Sequence, residues 1–111
     1  MTKPIAIQGI KGSFHHEVAQ KYFNSTAEVI ECMSFDNAVD NLLQKSTDTM
    51  VMALENSIAG SIIPNYALID NHNLSIVGEY YLDIQHNLLA LKGEALATIK
   101  EVHSHPMALL Q

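Results

Sequence analysis

Ile5-Ala6-Ile7-Gln8-Gly9-Ile10-Lys11-Gly12-Ser13-Phe14 is the stretch on which the fold turns. Ile5-Ala6-Ile7 has the brevity and apolarity of a buried strand. A loop with glycine at 9 and 12 follows, and from Phe14 apolar residues recur at Val18, Ala19, Tyr22 and Phe23, the spacing of one helix face. The unit is strand, glycine loop, helix, and it repeats. Ala27 to Cys32 offers a second strand. Ser34 stands as an N-cap with Asp36 in the first turn, and Phe35, Ala38, Val39, Leu42 and Leu43 form a single apolar stripe. Met50 to Leu54 is a third strand, after which Ser61 is placed to cap a helix over residues 62–71, with Pro64 tolerated in its first turn. Alternating strands and helices favour a parallel sheet with right-handed crossovers, so the fold class is α/β.

Beyond Asn73 the pattern changes. Leu74 to Leu82 and His86 to Leu91 read as two long extended runs with no helix between them, which suggests a crossing into a different sheet, and Thr98 to His103 offers one more strand. Ser104-His105-Pro106 then opens a last helix with serine as cap. The chain stops inside that apolar, helix-like stretch without a stop signal, which predicts a piece of a longer protein.

Composition narrows the function classes. At 111 residues, 48% hydrophobic and with mean hydropathy +0.08, the sequence describes one soluble globular domain. A formal charge of −6 and only six basic residues leave no phosphate-neutralising patch, so nucleic acid is not expected as a partner. No apolar run approaches the roughly 18 residues of a membrane-spanning helix, and the N-terminus leads into a strand pattern instead of a signal sequence. A single cysteine, Cys32, at the end of an apolar run reads as a structural thiol in a reducing, cytoplasmic compartment.

Hydrogen-bonding chemistry gathers at three junctions: Gly12-Ser13 after the first strand, Asn56-Ser57 after the third, and Ser104-His105 before the last helix. In open α/β sheets ligands bind at the carboxyl ends of strands, where free N–H groups and helix dipoles favour anions. The three junctions therefore suit a small anion, a carboxylate above all, although ordinary turn and cap chemistry accounts for each taken singly. The spacing Gly9-x-x-Gly12 is neither a nucleotide-binding P-loop nor a dinucleotide fingerprint. The adjacent His15 and His16 point to different helix faces, and His103 and His105 share a face only if a strand continues through Ser104, so no metal site is expected; nor is a cofactor. His86, opening an apolar run, reads as a half-buried imidazole.

Four segments in order carry a resemblance. Gly9-Ile10-Lys11-Gly12-Ser13-Phe14 resembles the Gly-Pro-x-Gly-Thr-Phe start of prephenate dehydratases, and Leu54-Glu55-Asn56-Ser57-Ile58-Ala59-Gly60-Ser61 resembles their Glu-Asn-Ser-x-x-Gly signature. His86-Asn87-Leu88-Leu89 and Ser104-His105-Pro106-Met107-Ala108-Leu109-Leu110-Gln111 are similar to two further family segments. Ile10 stands where proline is usual, Ser13 where threonine is, and Met107 where glutamine is common, which removes one polar contact.

The resemblance implies a two-lobed catalytic domain like a type II periplasmic binding protein, here truncated, with lobe one over residues 1–82 and the beginning of lobe two over 83–111. It implies conversion of prephenate to phenylpyruvate with loss of water and CO2 in L-phenylalanine biosynthesis. Arogenate dehydratase is a close variant, and a non-catalytic small-anion-binding lobe is the alternative from another class. Glu55, Asn56 and Gln111 would be catalytic; Gly12, Ser13, Phe14, Asn56, Ser57, Ser104 and His105 would bind substrate. Glu55 fits an acceptor that orients the loop better than a proton donor, because a charged carboxylate repels a dianion unless its pKa is raised. The family's Thr-Arg motif has no counterpart in a chain without arginine, so this segment alone is expected to be inactive. A homo-oligomeric full-length enzyme, with phenylalanine acting through a C-terminal regulatory domain, is implied in the same way.

Overall fold

The computed structural model describes residues 3–105 and 109. A three-stranded parallel sheet lies at its centre, in the order β2 (Val29–Cys32), β1 (Ile5–Gln8), β3 (Thr49–Met50). Ile5 pairs with Val29 on one side and Thr49 on the other, and the ladder with β2 runs to Gln8 opposite Cys32. The pleat sends alternate residues to opposite faces. On one face Ile5 and Ile7 meet Ala19 of α1 (Phe14–Tyr22), with Ala27, Val29 and Val51 packed around them. On the other Ala6 and Cys32 meet Ala38 of α2 (Phe35–Leu43), with Ile30 and Met50 alongside. Each face is thus covered by one helix, whose alanine allows close approach to the sheet.

Both helices start where the sequence places them, Ser34 as the expected cap and Ser13, read from the sequence as a substrate-binding residue, as a cap too. The Ser13 hydroxyl accepts from the His16 N–H at 3.3 Å and the Ser34 hydroxyl from the Asn37 N–H at 3.1 Å. The stop of α2 is not visible in its sequence: Lys45 takes φ +64°, and Lys45 and Ser46 donate to the carbonyls of Leu42 and Asn41, the paired bonds of a Schellman motif built without glycine. Asn73, at φ +52°, closes α3 (Ile63–Asn71) in the same way, through bonds to Asp70 and Ile69.

The third strand is shorter than the expected Met50–Leu54. Regular pairing ends at Met50, although the Val51 N–H still reaches the Ala6 carbonyl at 3.0 Å. The chain then forms a small antiparallel hairpin, β4 (Glu55–Asn56) with β5 (Gly60–Ser61), registered Glu55 to Ser61 and Asn56 to Gly60. Ser61 is therefore not the cap of α3, as expected. It is committed to the hairpin, and the helix opens at Ile62 with no side-chain cap and Pro64 in its first turn.

The strands expected over 74–82, 86–91 and 98–103 are corrected too: no described residue beyond Ser61 lies in a strand, and a 3-10 turn at Leu96–Thr98 is the regular structure described there. A strand needs a neighbour to pair with. Ile76, Val77, Leu89 and Leu91 are instead exposed. The segment is nevertheless laid along α1. Gly78 meets the Tyr22 hydroxyl so closely that a Cβ would overlap it, and His86 sets its ring edge-on to Phe14 at 5.9 Å. Between those contacts the chain runs back from the end of α1 to its beginning. Of the expected last helix, residues 106–108, 110 and 111 lie outside the described ones; the Leu109 N–H donates to the His105 carbonyl at 3.3 Å.

Candidate functional site

The loop after β1 is held by its own groups. The Gly9 N–H donates to the Cys32 carbonyl at 2.7 Å, tying the loop to the end of β2. The Lys11 N–H donates to Glu31 Oε2 at 2.7 Å, the Gly12 N–H to His16 Nδ1 at 2.8 Å, and the Ser13 N–H to the Ile10 carbonyl at 3.1 Å. The backbone donors expected to meet an anion at Gly12 and Ser13 thus already have partners. Because His16 Nδ1 accepts, a neutral His16 carries its hydrogen on Nε2. Gly12 sits at φ +92°, a conformation that L side chains rarely adopt. Phe14 follows at the head of α1, half-exposed, with the His86 ring against it. His86 is exposed, not half-buried as the sequence suggested.

The hairpin is organised by Asn56 and Glu55. Asn56 Oδ1 accepts from the N–H groups of Ile58 at 2.9 Å and Ala59 at 3.0 Å, which identifies that atom as the oxygen and leaves Nδ2 facing away from the turn. Ser57 lies in the exposed turn itself. The Glu55 carboxylate accepts from the Ser61 hydroxyl at 3.0 and 3.1 Å and from the Tyr66 hydroxyl. The hydrogen bond to Glu55 raises the Tyr66 pKa, so its phenol stays a neutral donor. Underneath, Asn65 is buried and its Nδ2 donates to the Ala53 carbonyl at 2.8 Å, while the Ile62 N–H donates to Leu54 at 2.8 Å. These bonds dock the hairpin on α3.

The loop and the hairpin both follow the carboxyl ends of neighbouring strands, β1 and β3. Ser104 lines an open groove of about 1020 Å³ with His86, Asn87, Leu89, Lys100 and His103. His105 is exposed and outside that lining, and Gln111 lies outside the described residues. A smaller cleft of about 510 Å³ opens between α2 and α3, lined by Gln8, Ser34, Phe35, Asn65 and Leu68. None of the residues singled out as binding or catalytic lines it.

Sequence reasoning missed Glu31, Tyr66 and Asn65. Each acts across 11 to 20 residues of chain, and no local spacing announces the partner. His15 is a further case: it packs edge-on to Phe35 at 5.2 Å, its Nε2 is buried with no hydrogen-bond partner among the described residues, and burial lowers its pKa. Burial likewise pushes the Cys32 thiol up, in keeping with a structural cysteine. Among the described residues no three His, Cys, Asp or Glu side chains gather as metal ligands, and no helix is long and apolar enough to cross a membrane.

Comparison with known proteins adds to this geometry. The family model described as prephenate dehydratase matches residues 5–111. The chain is 39% identical over 107 residues to arogenate dehydratase/prephenate dehydratase 2, chloroplastic, of Arabidopsis thaliana, a match covering 96% of this chain and 28% of that protein. It is 40% identical over 107 residues to arogenate dehydratase 2 of Petunia hybrida, covering 96% and 27%. To the bifunctional chorismate mutase/prephenate dehydratase of Buchnera aphidicola it is 36% identical over 106 residues, covering 93% and 28%. The chain therefore spans little more than a quarter of the length of these relatives. No solved structure matches it.

Proposed function

Because the chain belongs to the prephenate dehydratase family, we propose that it forms the first part of a dehydratase domain that converts prephenate to phenylpyruvate. The observation that carries this reading is the family match over nearly the whole chain, 5–111. The reaction needs little covalent help. The ring C–COO⁻ bond breaks, its electron pair enters the ring, and the C–OH bond breaks on the far side. One proton is taken up, so that hydroxide leaves as water beside CO2. Aromatisation drives the step, and the enzyme must hold a dianion and assist the departing hydroxyl.

In this reading Asn56 offers its Nδ2 donors, and Ser57 its hydroxyl, to a substrate carboxylate. Glu55 stays an acceptor: bound by Ser61 and Tyr66, it fixes the hairpin that presents Asn56. Phe14, half-exposed beside His86, supplies an apolar wall for the ring. Gly12 and Ser13 shape the loop and cap α1 rather than meeting the anion through free N–H groups, because those groups are engaged. Ser104 and His105 are assigned to substrate binding and Gln111 to substrate orientation. Residues 1–82 would form most of the first lobe of a two-lobed, periplasmic-binding-protein-like domain and 83–111 the start of the second. The exposed apolar residues of 74–109 support that division, since they suit burial against further chain. A homo-oligomeric cytoplasmic enzyme, regulated by phenylalanine through another domain, belongs to the same reading.

The test is turnover by the full-length enzyme that carries this segment, following phenylpyruvate formed from prephenate and the corresponding product from arogenate. Product from either supports the reading, and product from neither removes it.

A further inference from the structure

His16, the third residue of α1, reaches back over the start of its own helix. Its N–H donates to the Ser13 hydroxyl at 3.3 Å, while its Nδ1 accepts the Gly12 N–H at 2.8 Å. This is the reciprocal pattern of a capping box, with an imidazole where glutamate or glutamine usually stands. The return bond goes to Gly12 because the Ser13 N–H is already given to the Ile10 carbonyl at 3.1 Å. Gly12 is exposed at φ +92°, and Phe14, the apolar wall of the reading above, follows Ser13 directly. His16 therefore ties the loop to the helix at the point where Phe14 is placed.

Histidine differs from the usual residue here in one respect. A glutamine oxygen accepts whatever the pH, whereas imidazole Nδ1 accepts only while it carries no hydrogen. Protonation puts a hydrogen on Nδ1 that faces the Gly12 hydrogen across 2.8 Å, and two donors so opposed must part. The charged and titratable groups on the surrounding elements are otherwise engaged. Glu31 Oε2 holds the Lys11 N–H, Glu17 pairs with Lys21, His15 packs on Phe35 and His86 on Phe14. Among the described residues no ion pair includes His16. We propose that His16 is a proton-operated latch on the substrate loop: neutral, it holds Gly12 and with it Phe14 in place; protonated, it releases the loop and turnover falls. The inference rests on the dehydratase reading above and goes beyond it by naming how that site is regulated. His16 is a positioning residue, touching no substrate and moving no proton in the reaction.

The experiment measures kcat/KM for prephenate, corrected for the uncatalysed reaction, in the full-length enzyme as wild type and as His16→Gln. The range runs from about pH 8 down to about pH 5, where an imidazole changes charge. Glutamine is an ordinary capping-box residue and keeps an acceptor for the loop throughout. The two proteins should agree within about threefold at the alkaline end, and the ratio of variant to wild type should rise at least about fivefold towards acid, the size of one net hydrogen bond. His15 and His86 are present in both proteins and cancel in that ratio. A ratio that does not change with pH overturns the inference. Imidazole nitrogen NMR signals of the wild-type enzyme need no variant to fold: neutral His16 should carry its hydrogen on Nε2, and the Gly12 amide signal should move as that ring titrates. A hydrogen on Nδ1 of the neutral ring, or a Gly12 amide indifferent to the charge of the ring, overturns the latch equally. Wild-type enzyme that turns over neither prephenate nor arogenate removes the dehydratase reading and the effect on turnover with it, whereas turnover with a constant ratio removes the inference only.

Discussion

Asn56 has two jobs in this account, and they reside on different atoms. Its Oδ1 closes the hairpin turn through two backbone N–H groups at 2.9 and 3.0 Å, and its Nδ2 faces away and is assigned to the substrate. Asn56→Ala removes both. Two hydrogen bonds at roughly 0.5–1.5 kcal/mol each set an upper range of about 1–3 kcal/mol, and because Ile58 and Ala59 are exposed, water recovers part of the loss, leaving about 1 kcal/mol of stability. The alanine variant therefore confounds folding with function, and Asn56→Asp separates them. Aspartate keeps an oxygen for the turn but replaces the amide donors with negative charge facing a dianion. In the full-length enzyme its urea midpoint should stay near wild type, while kcat/KM should fall by a factor on the order of 10²–10³, the cost of losing one well-placed oxyanion donor. An Asn56→Asp enzyme with wild-type kcat/KM would refute the assignment of Nδ2 to the substrate and leave Asn56 as a turn residue only.

Two other outcomes test the fold. Lys45 holds a left-handed conformation at the end of α2, and glycine relieves that strain at some cost in unfolded-chain entropy, so Lys45→Gly should stabilise the protein by about 0.5–1 kcal/mol in urea titrations. His15 is kept neutral by burial, with a pKa lowered from 6.5; the unfolded state takes up that proton first, so stability is complete above pH 6.5 and declines as pH falls from there through the lowered folded value. His15→Phe preserves the ring contact with Phe35 and should flatten that decline in unfolding midpoints measured against pH; an unchanged pH profile would show that another group governs it.

The first half of the fold was legible because its signals are local. Ser34 caps the helix it precedes, the apolar spacing from Phe14 marks α1, the stripe through Ala38 and Val39 faces the core, and the alternation of Ile5, Ala6 and Ile7 divides between two helices. Where pairing decides, the sequence is mute. Ser61 has the chemistry of a cap, yet the ladder with Glu55 claims it, and no cap rule can see a partner six residues back. The apolar run from Leu74 has strand composition, but composition does not supply the neighbouring strand that would satisfy its backbone. Among the site residues, Asn56 and Ser57 were visible as a cluster of polar groups after an apolar run. Glu31 and Tyr66 were not, since their relation to the loop and hairpin exists only after the strands align.

The central claim is that the loop before Phe14 and the hairpin at Asn56 flank the substrate. A crystal structure of the full-length enzyme with an unreactive dicarboxylate analogue of prephenate tests it most directly. The account predicts a carboxylate oxygen about 2.7–3.2 Å from Asn56 Nδ2, with the six-membered ring against Phe14. An analogue seated in the cleft between α2 and α3, against Gln8 and Phe35 and touching neither Asn56 nor Phe14, would contradict it.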